Sequence, residues 1–305
     1  MKPVIAKNLV KHYGSKKAPV AAVKDVSFEV EAAELFGIIG PDGAGKTSLF
    51  RMLTTLLLPD GGSASVDGFD IIKDYKAIRQ RVGYMPGRFS LYQDLSVEEN
   101  LDFFATIFKT TVTENYDLIK DIYQQIEPFK KRKAGKLSGG MKQKLALSCA
   151  LIHRPSVLFL DEPTTGVDAV SRKEFWEMLK KLKAQGISIL VSTPYMDEAS
   201  LCDRVALMQS GSIMSLNTPQ GVVNDFKHPL LALRSQEMFR LLKDARGFDE
   251  VLDVYPFGEF HHAVMRSDGK ADDFGRYLQK FNHSGLIIQN VTADIEDCFI
   301  ALMKN

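Results

Sequence analysis

Apolar and polar positions divide the chain into two stretches of different rhythm. In the first, Leu35–Ile39 and residues 157–160 are continuous apolar runs without alternation. Such runs predict strands buried on both faces, as in a parallel sheet. Residues 4–10 and 26–30 predict two short strands, with a polar turn from His12 to Lys17 between them. Val82–Met85 predicts a strand stopped by Pro86, and 187–191 another, closed by Ser192, Thr193 and Pro194. Helical spacing covers 97–108, where Val97, Leu101, Phe104 and Phe108 share a face and Ser96 with Glu99 forms a capping box. Further helices are expected at 114–127, from Ser138 as N-cap to about residue 151, and at 171–184. Residues 88–153 therefore read as a helical block set into a strand-rich core.

The second stretch begins near residue 223. It predicts a strand at 230–233, a helix at 235–245, strands at 250–255 and 259–266, a helix at 271–282, a strand at 286–291 and a helix at 293–303. This βαββαβ order is that of a small ferredoxin-like α+β domain. The expected division is 1–222 and 223–305.

Composition adds limits rather than direction. A length of 305 residues suits about two domains. The net charge of +1 advertises no nucleic-acid partner. No run approaches the roughly 18 apolar residues of a membrane span, and the first 13 residues lack the apolar core of a signal peptide. Cys149, Cys202 and Cys298 are far apart and read as reduced structural residues. The basic run at 130–133 reads as a solvated loop. His261 and His262, adjacent on a strand, must face opposite ways and read as structural.

The chemistry concentrates after the first apolar run. Residues 40–47 read GPDGAGKT, the phosphate-binding P-loop pattern, between a strand and a helix. Gly40, Gly43 and Gly45 let the backbone approach a phosphate chain closely. With Pro41, Asp42, Ala44 and Ser48 they form the cradle, and the helix N-terminus faces the anion. Lys46 would reach the β- and γ-phosphates and Thr47 would ligate Mg²⁺. Tyr13 offers a ring on which an adenine could stack. The apolar run at 157–160 ends in Asp161 and Glu162, where open α/β sheets bind ligands. Asp161 would hold Mg²⁺, and Glu162 would polarise an attacking water. Ser138, Gly139 and Gly140 open a second helix whose donors point outward.

Four motifs in this order, GPDGAGKT, LSGGM at 137–141, VLFLDEP at 157–163 and TGVD at 165–168, resemble the nucleotide-binding subunit of an ABC transporter over residues 1 to about 222. The LSGG signature separates that family from other P-loop ATPases. The form LSGGMKQK resembles the ATPases of bacterial ABC-2 type exporters, drug exporters among them. The resemblance implies a P-loop ATPase core that binds ATP and Mg²⁺. It implies a head-to-tail dimer in which Ser138, Gly139 and Gly140 complete the ATP site of the second ATP-binding domain. It also implies a membrane permease driven by dimer closure, with this chain held on the cytoplasmic face through it.

Two positions depart from the family. Members typically read YMPQ where this chain reads YMPGR, with Gly87 in place of the glutamine. They read STH where this chain has Pro194. Glycine offers no side chain and proline no donor. Losing one preorganised donor typically costs about 10²–10³ in rate. The expectation is a P-loop site that binds Mg-ATP and hydrolyses it poorly, paired with a complete ATPase half. The competing expectation is a homodimer in which Glu162 suffices. A soluble ABC ATPase without a permease, or a nucleotide-sensing regulatory subunit, are the alternative function classes.

Overall fold

The computed structural model describes residues 1–15, 18–267 and 270–304. Two compact units emerge, Met1–Gln220 and Gly221–Asn305.

In the first unit the strands are β1 (Val4–Ser15), β2 (Ala18–Val30), β3 (Leu35–Ile39), β4 (Gly61–Val66), β5 (Phe69–Asp70), β6 (Val82–Met85), β7 (Val157–Asp161), β8 (Ser188–Thr193), β9 (Arg204–Gln209) and β10 (Ser212–Asn217). The helices are α1 (Lys46–Leu53), α2 (Tyr75–Arg79), α3 (Val97–Ile107), α4 (Tyr116–Tyr123), α5 (Gly139–Leu151), α6 (Ala169–Ala184) and α7 (Pro219–Asn224), the last crossing the boundary between units. One sheet, in the order β2-β1-β4-β5, is antiparallel. The other runs β10-β9-β3-β8-β7-β6 and is parallel apart from β10. Every residue of β3 and β7 is buried, as their unbroken apolar runs require. Helix α1 lies in the core, where Phe50 meets Phe159 edge-on at 5.7 Å. Phe28 stacks on Phe36 at 5.3 Å, joining the two sheets.

The first hairpin is longer than its apolar pattern predicts. Tyr13 pairs with Val20 and Ser15 with Ala18, so the expected turn at His12 is strand instead. These outer residues are exposed, and an antiparallel ribbon can be held by its ladder without burying a face. Lys16 and Lys17 of that expected turn lie outside the described residues. Helix α4 is shorter than expected and gives way to a 3₁₀ turn at Glu127–Phe129, with Pro128 in its first turn. The capping box of α3 is present in both directions: Ser96 Oγ accepts from Glu99 N at 3.2 Å, and Glu99 accepts from Ser96 N at 2.7 Å.

The second unit contains β11 (Leu230–Arg234), α8 (Met238–Ala245), β12 (Val251–Phe257), β13 (Phe260–Met265), α9 (Ala271–Gln279), β14 (Ile287–Val291) and α10 (Ile295–Leu302). Its sheet runs β12-β13-β11-β14, antiparallel throughout, which is the ferredoxin-like arrangement. Leu231, Leu233, Leu241, Phe274 and Leu278 fill one face. On the other, α10 is pinned by Asp297, which is fully buried. Its Oδ1 accepts from Tyr255 Oη and meets His262 Nδ1, both at 2.7 Å. His261 faces the opposite way, with Nε2 2.8 Å from the Met238 carbonyl oxygen. All three cysteines are buried, and burial pushes each thiol up, that of Cys298 to about 12. Among the described residues no helix is long and apolar enough to cross a membrane.

Candidate nucleotide site

The site forms where β3 and β7 end. Between β3 and α1 the P-loop needs glycine for two separate reasons. Gly43 and Gly45 adopt φ of 78° and 106°, a region that L side chains avoid. At Gly40 a Cβ would lie 2.1 Å from the Met208 carbonyl oxygen, so only glycine lets the chain leave β3 past β9. The loop is tied down at its start, where Gly40 N donates to the Thr193 carbonyl oxygen at 3.2 Å.

Four side chains named from the sequence meet here. Lys46 is buried, and its Nζ donates to the carbonyl oxygens of Gly40 at 2.7 Å and Pro41 at 3.0 Å. The same Nζ stands 3.1 Å from Glu162 Oε1. Thr47 Oγ1 donates to Asp161 Oδ1 at 3.2 Å. Glu162 holds φ at 51°, a left-handed conformation that costs a non-glycine residue on the order of 1–3 kcal/mol. A phosphate chain in the cradle would compete with Glu162 for Lys46 and release the carboxylate. The convergent hydroxyl of Thr47 and carboxylate of Asp161 are hard oxygen donors of the kind Mg²⁺ takes, so this pair fits such an ion.

Ser192 and Glu198 hold this arrangement, and sequence reasoning missed both. Ser192 Oγ donates to Asp161 Oδ1 at 2.6 Å and accepts from Glu162 N at 3.0 Å. Glu198 is 1% exposed. Its Oε2 accepts from Thr193 Oγ1 at 2.6 Å and Thr164 Oγ1 at 3.1 Å, and its Oε1 from Arg172 Nε at 3.1 Å. Asp168, which closes the TGVD motif, also caps α6, accepting from Val170 N and Ser171 N, a typical N-cap choice that the sequence carried. The helix therefore starts two residues earlier than expected.

The two departing positions flank this cluster. A Cβ at Gly87 would lie 3.0 Å from the Asp161 carbonyl oxygen and 3.6 Å from Glu162 Cβ. Position 87 thus abuts both carboxylate-bearing residues and brings no side chain to them. Pro194 directly follows Thr193 at the end of β8. Gly87 also lines an apolar groove, with Met85, Phe89, Phe104, Phe108 and His153. His153 stacks on Phe108 at 3.7 Å, and burial pushes its imidazole down to about 4, so it is neutral at pH 7.

The remaining site residues sit on other elements. Tyr13 Oη is 3.1 Å from Ser48 Oγ, which puts its ring beside the start of α1. Ser138 caps α5 by accepting from Met141 N at 3.4 Å, and Ser138 and Gly139 are exposed. At Gly140 a Cβ would lie 2.7 Å from Ser171 Oγ, so glycine lets α5 pass α6. Among the described residues no hydrogen bond joins Ser138, Gly139 or Gly140 to the P-loop.

A glycine loop running into a helix, with an Asp–Glu pair at the end of a parallel strand in the same sheet, defines a P-loop nucleotide-binding fold. Comparison with known proteins narrows that class. Residues 23–165 match the model of the ABC transporter family. The chain is 38% identical over 299 residues to the probable multidrug ABC transporter ATP-binding protein YbhF of Escherichia coli K12, covering 97% of this chain and 51% of that protein. It is 35% identical over 269 residues to the doxorubicin resistance ATP-binding protein DrrA of Mycobacterium tuberculosis H37Rv, covering 87% and 79%. A solved ATP-binding cassette, in a dimeric post-hydrolysis state bound to ADP and Pi, superposes with a TM-score of 0.64 at 25% identity, over 70% of this chain and 98% of that one. The chain belongs to the ATP-binding proteins of ABC transporters. It spans about half the length of the first curated relatives it matches.

Proposed function

We propose that this chain is the ATP-binding, ATP-hydrolysing subunit that powers a bacterial ABC-type membrane exporter. The meeting of Lys46, Thr47, Asp161 and Glu162, joined by contacts of 3.1–3.2 Å, carries this reading. Residues 1–222 form the ATP-binding domain, with a helical subdomain over about 88–153, and 223–305 an accessory domain. Lys46 and the P-loop backbone bind the phosphates, Thr47 and Asp161 hold Mg²⁺, and Tyr13 stacks on the base. Mg²⁺ offsets the negative charge of the phosphates. Glu162 orients and deprotonates water. The exposed Ser138 and Gly139, with the half-buried Gly140, reach the ATP of a second cassette.

The bare position 87 beside Asp161 supports a slow site in this chain. Its partner is then a cassette that retains the glutamine and histidine. A permease segment in the apolar groove would touch the wall that contains Gly87, giving it a route to Asp161 and Glu162. Such a permease places the chain on the cytoplasmic face of the membrane.

The test measures Mg-ATP binding and steady-state turnover of the purified chain, with Glu162→Gln as control. Tight binding with turnover no faster than the control is expected. Ordinary turnover that the control abolishes would sink the slow-site reading, and failure to bind Mg-ATP would sink the whole proposal. Recovery without any multispanning membrane protein would favour a soluble or regulatory ATPase.

A further inference from the structure

The two edges of the accessory sheet are built differently. Edge strand β12 carries three devices that discourage pairing with another strand. Pro256 lacks an N–H, Asp253 carries a charge paired with Lys304, and the ladder is irregular between Val251 and Asp253. Edge strand β14 carries none of them. From Gly285 to Thr292 the sequence is GLIIQNVT, with no charge and no proline. Its pairing with β11 is regular over all five residues, from Ile287–Arg234 to Val291–Leu230. Gln289 and Asn290 are exposed, and Ile287 is 45% exposed. Alternate residues of such a strand turn N–H and C=O groups away from the existing ladder.

The geometry points to an interface between β14 of this chain and β14 of a second copy, paired antiparallel about a two-fold axis near Gln289. The strand is self-complementary in that register. Ile287 falls opposite the second copy's Val291 on one face, and Ile288 opposite its Asn290 on the other. Charge agrees with the same occupant. Helix α9 borders the edge, and a groove between them is lined by Asp272, Gly275, Arg276, Gln279, Ile288 and Asn290. The two-fold sets the two α9 helices antiparallel on one face of the joined sheet. Asp272 in the first turn of one then faces the later turns of the other, where Arg276 and Lys280 lie. The result is one continuous eight-stranded sheet. This pairing stands on the accessory unit and uses none of the residues assigned to the nucleotide site.

The test is sedimentation of the full chain without nucleotide at tens of micromolar. The wild type should sediment as a dimer. Gln289→Lys, a change at an exposed position, sets two like charges opposite each other and should weaken self-association by about tenfold or more. Mixing Gln289→Lys with Gln289→Glu should restore the dimer. ATP binding by both variants serves as the check on folding and should be unchanged. A monomeric wild type, or a dimer that Gln289→Lys leaves intact, would overturn the interface. Either result leaves the nucleotide-site reading standing, because ATP binding is read separately.

Discussion

The ends of β3 and β7 differ sharply from the ends of β6 and β8. At the first pair, Lys46, Thr47, Asp161 and Glu162 are interlocked, and Ser192, at the next-to-last position of the neighbouring β8, fixes both acidic residues from the side. At the second pair, Gly87 and Pro194 bring no polar side chain to the same cluster. The difference separates two tasks that usually coincide. On the proposed reading, the groups assigned to the phosphate chain and its metal are present, whereas those assigned to the transition state are reduced to Glu162. Binding the substrate and stabilising the transition state are distinct demands, so one can persist while the other is lost.

Restoring the second pair would break the contrast most directly. Gly87→Gln with Pro194→His should raise turnover by at least about 100-fold with little change in ATP affinity, since a single preorganised donor is worth about 10²–10³. Turnover that stays flat would place the limit elsewhere, for instance in the absence of a partner cassette. Removing the anchor of the first pair attacks it from the other side. Lys46→Ala should lower Mg-ATP affinity by roughly 100-fold in a calorimetric titration, through lost charge-assisted hydrogen bonds. The smallest effect sharpens the comparison by testing its scaffold. Glu198→Ala leaves Arg172 and two threonine hydroxyls without their shared acceptor. It should cost about 2 kcal/mol of stability in urea unfolding, discounted because Arg172 is partly exposed.

The first pair of strand ends was legible in the sequence because its residues are contiguous and its strands are unbroken apolar runs. Gly43 and Gly45 announce left-handed backbone, and 157–160 announces a strand with no exposed face. The supports were not legible. Ser192 reaches Asp161 across 31 residues and Glu198 reaches Thr164 across 34, and no local pattern records a side-chain contact between strands or turns. β10 went unread because Ser212–Asn217 alternates weakly and is only half buried, whereas β9 carries the buried apolar run 205–208 and was legible by the same rule as β3. The order of elements in the second unit was read correctly, with helix and strand ends displaced by at most three residues. Its open edge was invisible, because which strand lies outermost depends on sheet order rather than on sequence order.

The burial of all three cysteines bears on how the protein meets oxidants and thiol reagents. Only the thiolate attacks a disulfide, a peroxide or an alkylating agent. With Cys298 pushed up to about 12 and Cys149 and Cys202 raised further, almost none of that form exists near neutrality. The folded chain should therefore be close to inert towards such reagents. A single cysteine introduced on its surface would be the one thiol that carries a label.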